Sequence, residues 1–180
     1  SRIRRKSTYR NRSCIVTETE QKTELVREGD RYVQTTRRSV ITSPKGEALY
    51  ASEVTMSGGE RRVSSTTIHE GKARFEVSGP GGTEKNEIDV PQGVMFGIEP
   101  EWLLAQGLET GKQFEETVLD KRGQSLVRER AFVQGRRTEN VLGRERGVWV
   151  VTTQRGQGDP VRMIFTDQGD LVRLETDDLV

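Results

Sequence analysis

The chain has one histidine, His69, and one cysteine, Cys14. A zinc site is built from three or four clustered His, Cys or carboxylate ligands. With no second histidine and no grouped cysteines, the spacing assembles none. A Ser-His-Asp triad would have to use His69. Ser64 and Ser65 share its strand-like stretch, but the G-x-S-x-G elbow that exposes a nucleophilic serine is missing. Cys14 and His69 as a thiolate pair have no local motif either. Glu115 and Glu116 are adjacent, so on a strand they point to opposite faces and cannot act as an acid–base pair. GPGG (79–82) and GQG (156–158) neither open a helix nor precede a Lys-Ser/Thr pair, so they read as turns rather than phosphate cradles. DQGD (167–170) lacks the spaced acids and closing Glu of a calcium loop. These residues predict no catalytic group, no metal and no cofactor. His69 reads as a surface strand residue. Cys14 reads as a buried or half-buried strand thiol with no partner for an internal disulfide.

The remaining candidates are apolar. Met95, Phe96, Trp102, Leu103, Trp149, Met163 and Phe165 either line a hydrophobic groove or form the core. Four of them belong to residues 91–111, PQGVMFGIEPEWLLAQGLETG, the one stretch that reads as neither strand nor hairpin turn. Pro100 suits the first position of a helix, where its missing N–H costs nothing. Gly107 is placed to end that helix in a left-handed conformation. The spacing predicts one short helix near 100–106. About two turns are not stable alone in water, so this helix must pack on the flanking strands. Gly93 and Gly97 leave two readings of the segment: a plug over one end of the core, or a hinged lid above a ligand groove.

The elements around this bridge are strands. Turn signals recur about every ten residues, and every connection except the bridge is hairpin-short. Such connections force antiparallel neighbours. REGDR (27–31), SPKGE (43–47), SGGE (57–60), EGK (70–72), GPGG, KRGQ (121–124), QGRR (134–137), RGQGDP (155–160) and DQGD punctuate the chain. KARFEVS (72–78) alternates cleanly, with Ala73, Phe75 and Val77 on one face. Only 31% of residues are hydrophobic and 32% are charged. A broad sheet with one wetted face reconciles that composition with folding. The expectation is a mainly β fold of about eleven strands in a single large curled antiparallel sheet, an incomplete barrel. Its concave face would hold the core and the bridge helix.

Net charge is +1, which exerts no global pull on nucleic acid or anionic membrane. The basic residues are nonetheless concentrated at the start, where Arg2, Arg4, Arg5, Lys6, Arg10 and Arg12 precede the first acid, Glu18. Residues 1–12 are therefore expected as a basic, flexible arm ahead of a single β domain at 13–180. Arginines beside Tyr9 and Tyr32 are too sparse for a base-stacking platform, so no nucleic-acid partner is expected. No run approaches the ~20 apolar residues of a transmembrane helix. The basic SRIRRK start has no apolar h-region after it, so no signal peptide is read here.

The order of features carries a resemblance. ALYASEVTMSGG is followed by Pro91 and EPEWLLAQGLETGKQF, then VLGRERGVWVV, then DPVRMIFTDQGDLVRLE. This pattern, over most of residues 30–176, resembles bacterial envelope proteins of unknown function whose β-domains are related to the LolA/LolB lipoprotein-carrier fold. Similar domains stand ahead of transglutaminase-like domains. The resemblance implies an incomplete antiparallel barrel and a periplasmic or outer-membrane-associated location. It also implies handling of a lipid or lipoprotein acyl chain, with no catalytic residue and no cofactor. The leading expectation is a non-enzymatic envelope protein that binds an apolar ligand between the concave sheet and the 91–111 segment. The alternative is a structural or protein-interaction module with a filled core, binding an envelope partner through its edge strands or basic arm.

Overall fold

The computed structural model of the chain describes residues 1–27, 30–122 and 124–176, and gives the backbone alone for 25–27 and 30–31. It divides into two compact units, one of Ser1–Val94 with Lys121–Ser125, the other of Met95–Asp120 with the chain from Leu126 onward.

The first unit is a seven-stranded antiparallel sheet in simple chain order. Its strands are β1 (Arg2–Tyr9), β2 (Arg12–Arg27), β3 (Asp30–Thr42), β4 (Ala48–Ser57), β5 (Glu60–His69), β6 (Lys72–Gly79) and β7 (Gly82–Asp89). The turns do what their residues dictate. Gly58 and Gly59 take φ +56° and +85° between β4 and β5, as a two-residue hairpin loop of this hand requires. The expected turn at 27–31 centres on Glu28 and Gly29, outside the described residues, as does Gly123 of the expected turn at 121–124.

Residues 2–9, expected within a flexible basic arm, instead form β1 and pair with β2 from Arg2↔Thr19 to Tyr9↔Arg12. The reason is local. Arg10 and Asn11 both adopt positive φ, +49° and +60°, and asparagine tolerates that region better than most residues. The turn reverses the chain onto β2, and the Tyr9 ring meets Tyr50 at 6.1 Å between centroids. Charge content had hidden a hairpin.

The second unit carries the bridge and a five-stranded antiparallel sheet ordered β12-β11-β10-β9-β8. The elements are α1 (Pro100–Ala105), β8 (Gln113–Asp120), β9 (Ser125–Val141), β10 (Arg144–Arg155), β11 (Val161–Thr166) and β12 (Leu171–Thr176). The fold is thus mainly antiparallel β with one short helix, in two open sheets where the sequence suggested one. The ladder is interrupted because the chain runs from Asp89 to Gln113 with no strand.

One expected turn is not a turn. QGRR (134–137) lies inside β9, which continues to Val141. Gly135 pairs with Val150 while Val133 pairs with Val151, so one extra residue is bulged out at this point. Gly135 has φ +150°, and a glycine inside a strand commonly marks such a bulge. The reversal comes at Leu142 and Gly143, both at positive φ, where the Asn140 side chain accepts the Gly143 N–H at 2.9 Å.

Both faces of this sheet bury apolar residues. One face contributes Ala131, Val133, Val151, Met163 and Phe165 to a cluster with Ile98 and Leu103. The opposite face holds Val148, Val150 and Ile164, flanked by Val141 and Val172. Across that second face runs a chain of ion pairs. Arg137 and Arg173 both meet Glu139, while Arg173 and Arg162 both meet Glu175.

Candidate functional site

The helix of the bridge, α1, is preceded by a glutamate in extended conformation, Glu99, with Pro100 at the first helical position. At the far end the Gln106 N–H reaches the Trp102 and Leu103 carbonyls at 3.2 and 3.1 Å. Gly107 then turns with φ +72°. Lys112 donates to the Gln106 and Gly107 carbonyls at 2.9 and 2.8 Å, setting a positive charge on the negative end of the helix. The same ammonium lies 5.1 Å from the Phe114 ring centroid. Phe114 in turn meets Trp102 edge-on at 5.7 Å, a geometry that aromatic quadrupoles favour.

The seven residues expected to line a groove are placed as follows. Leu103 and Phe165 are fully buried and Met163 is 8% exposed, all in one core cluster. Trp102 and Trp149 are half-buried and pack against that cluster. Trp149 is the cross-strand neighbour of Phe165, as Val151 is of Met163, and such neighbours share a face. Met95 and Phe96 are buried as well. Met95 makes a parallel bridge to Val118 and accepts the Leu119 N–H at 2.8 Å.

A polar clamp fixes the segment. Glu129, on β9, is buried, and its Oε2 accepts the Ile98 N–H at 3.1 Å and an Arg155 N–H at 2.9 Å. The same Arg155 nitrogen donates to the Phe96 carbonyl at 3.1 Å. Between them lies Gly97. A Cβ there would stand 2.5 Å from Arg155 Nη2 and 3.3 Å from Glu129 Oε2. Gly97 therefore serves close approach. The sequence reading missed Glu129 and Arg155. Glu129 was findable, because it sits two and four residues before Ala131 and Val133 on the same strand face. An acid in phase with an apolar row is a buried acid with a partner to be found.

The polar candidates are not brought together. Cys14 is buried on β2, and His69 ends β5 beside Glu70, Nδ1 to carboxylate 3.6 Å. With β3 and β4 between those strands, three inter-strand spacings, roughly 14 Å, separate them. Ser65 and His69 lie four residues apart along one strand, roughly 13 Å. Among the described residues no group of three His, Cys, Asp or Glu side chains converges as a metal site, and no helix is long and apolar enough to cross a membrane.

A groove of about 560 Å³ opens elsewhere on this unit, bordered by Gln113, Glu115, Arg130, Phe132, Thr152 and Gln154. None of the seven expected residues lines it. Phe132 is 42% exposed there. The hydrogen bond from Arg130, with Arg128 nearby, holds the Glu115 carboxyl below the usual carboxylate range.

Fold and site together define an open antiparallel β module whose helix-bearing segment is held in its own core. No family model matches the chain, and no curated protein matches it. Among solved structures it is similar to a β-barrel-like protein of the domain of unknown function DUF1849 from Brucella abortus. That likeness has a TM-score of 0.59 at 13% identity, over 98% of this chain and 87% of the other. A DUF1089 family protein from Pseudomonas aeruginosa aligns over 100% of this chain and 91% of its own, with a TM-score of 0.42 and 11% identity. The first likeness is one of fold.

Proposed function

We propose that this chain is a non-catalytic binding module of the bacterial envelope that engages protein partners through its sheets and keeps its core filled with its own bridge segment. The observation that carries this reading is the Glu129–Arg155 clamp across Gly97, with Leu103 and Phe165 fully buried beside it. An acyl chain entering under the bridge would displace both side chains, at about 2–5 kcal/mol each. It would also break the ion pair of buried Glu129 with the half-exposed Arg155, at about 1–3 kcal/mol. Burying some sixteen methylenes returns about 0.8 kcal/mol each, about 13 kcal/mol in all, much of which those costs offset. The envelope setting is taken from the resemblance of the bridge and closing hairpin to LolA/LolB-related domains, and the likeness to a β-barrel-like domain is compatible with it.

Organic extraction of the purified protein, followed by mass spectrometry against a mock purification, tests the reading. The expected extract is empty, also after incubation with membrane lipids. A lipid or fatty acid recovered in stoichiometric amount overturns it in favour of the carrier.

A further inference from the structure

The face of the second sheet that turns away from the Leu103–Phe165 cluster carries a tile of side chains. On β9, Arg130 and Phe132 alternate with Ala131 and Val133, which belong to that cluster, so they point to the opposite side. Thr152 and Gln154 of β10 stand directly across from Phe132 and Arg130, and residues directly opposite share a face. Glu115 of β8 joins them through the hydrogen bond that Arg130 donates at 2.7 Å, and Gln113 lies two residues before it. These six border the groove of about 560 Å³, within the range of about 300–1,000 Å³ of small-molecule sites. Inter-strand spacing and the two-residue repeat make the tile roughly 10 by 7 Å. Its polar groups are only partly used. The Gln154 amide nitrogen donates to the Gly158 carbonyl at 3.1 Å, which leaves its oxygen to accept. Thr152 Oγ1 accepts from Gln134 at 2.9 Å, which leaves its hydroxyl proton to donate. Gln113 is exposed, with an amide able to do both. The one anion of the tile, Glu115, is held between Arg130 and Arg128 at 2.7 and 3.3 Å.

We propose that this groove binds a pyranose sugar, stacked on Phe132 and hydrogen-bonded around its rim. The ligand class follows from what the tile offers. Phe132, 42% exposed, is the one apolar side chain among the six. An aromatic ring buries a flat apolar face laid against it. Around that ring stand two amides and a hydroxyl that both donate and accept, as a sugar hydroxyl does. A glucopyranose with equatorial hydroxyls joins the two requirements in one body, with C–H groups on its flat face and hydroxyls at its edge. An acyl chain would find one ring and a polar border, with nothing to cover the rest of its length. A charged ligand would meet a carboxylate and guanidinium groups already matched to each other, and would have to displace one of them. The groove lies on the opposite side of the sheet from the core cluster, so the proposal goes beyond the filled-core reading and does not depend on it.

The test is titration of the isotopically labelled chain with cellobiose, maltose and diacetylchitobiose. Sorbitol, an open-chain polyol without a flat C–H face, is the control. The expected result is saturable binding of at least one of the three sugars with a Kd of about 1 mM, and no saturation with sorbitol. The shifted amides should lie at 113–115, 130–132 and 152–154. Phe132→Ala should weaken binding about tenfold, and Phe132→Trp should retain it. Gln154→Ala should weaken it about fivefold. Unchanged resonances of Val133 and Val151 report that each variant keeps its core. Affinity should hold between about 50 and about 500 mM salt. No response to any of the three sugars at about 50 mM, an equal response to sorbitol, or full affinity in Phe132→Ala overturns the proposal. Binding that is lost as salt rises overturns it in favour of an ionic ligand. A clean lipid extract with no sugar binding removes the groove alone. A lipid-loaded extract removes the filled-core reading whatever the sugars do.

Discussion

Gly97 sits where two elements compete for one space. An alanine there would push its methyl into the Arg155 guanidinium. That end of the side chain is flexible, but its displacement breaks the hydrogen bonds to Glu129 and Phe96. Gly97→Ala is expected to cost about 1–3 kcal/mol, the range for a buried polar group deprived of its partner. Arg155→Met should cost more, about 3–5 kcal/mol, because it leaves the Glu129 carboxylate buried against a single N–H donor. The double variant Glu129→Gln/Arg155→Met should recover part of that loss. Urea unfolding followed by tryptophan fluorescence reads all three, since Trp102 and Trp149 both belong to this unit. Equal midpoints for Arg155→Met and the parent chain would show that the clamp contributes nothing.

At the scale of the elements, two features make distinct predictions. The β9–β10 reversal carries Leu142, wholly exposed and at φ +52°. A leucine in the left-handed region costs about 1–2 kcal/mol, and this one gains no burial in return. Leu142→Asn should therefore raise the unfolding free energy by about 1 kcal/mol, measured by urea titration. The second feature is the cross-strand ion pairs. Glu87 is held below its usual value by Lys72, then by Arg74; Glu175 is lowered chiefly by its hydrogen bond from Arg162. A carboxyl lowered on folding contributes its stability in full above the unfolded value of 4.5 and loses it as pH falls below that point. Lys72 is raised by Glu87, so its share is present below 10.5 and is lost as pH rises beyond that. All these groups keep substantial contact with solvent, so the effect is modest. The urea midpoint should fall between about pH 6 and about pH 3, and fall less in the Glu87→Gln/Glu175→Gln variant. Parallel pH curves for the two chains would sink that assignment.

For the whole molecule, the two units carry separate optical probes. Tyr9, Tyr32 and Tyr50 all lie in the first unit and Trp102 and Trp149 in the second. If the chain folds as the single domain that the sequence suggests, transitions watched by fluorotyrosine resonance and by tryptophan emission should coincide. Separated midpoints would assign two domains. The slowest amide exchange is expected at fully buried strand positions such as Val133, Val151 and Phe165, and the fastest at exposed turns such as Gly58–Gly59.

Antiparallel β architecture, most hairpins and the short helix from Pro100 were legible in the sequence because each is set locally. Glycine pairs at turns, alternation along strands and a proline at a helix start act within a few residues. The candidate site was legible only as a list. That Met95, Phe96, Trp102, Leu103, Trp149, Met163 and Phe165 are apolar could be read; five of them, without Met95 and Phe96, meet in one cluster. Whether they line a space or fill one depends on which surfaces meet, and periodicity does not carry that. Tertiary contact places Leu103 and Phe165 in one buried cluster and ties the bridge to Glu129 and Arg155. It also turned Gly135 from a turn residue into a bulge and the basic arm into an edge strand. In each case a pairing partner distant in sequence overrode what the neighbouring residues suggested.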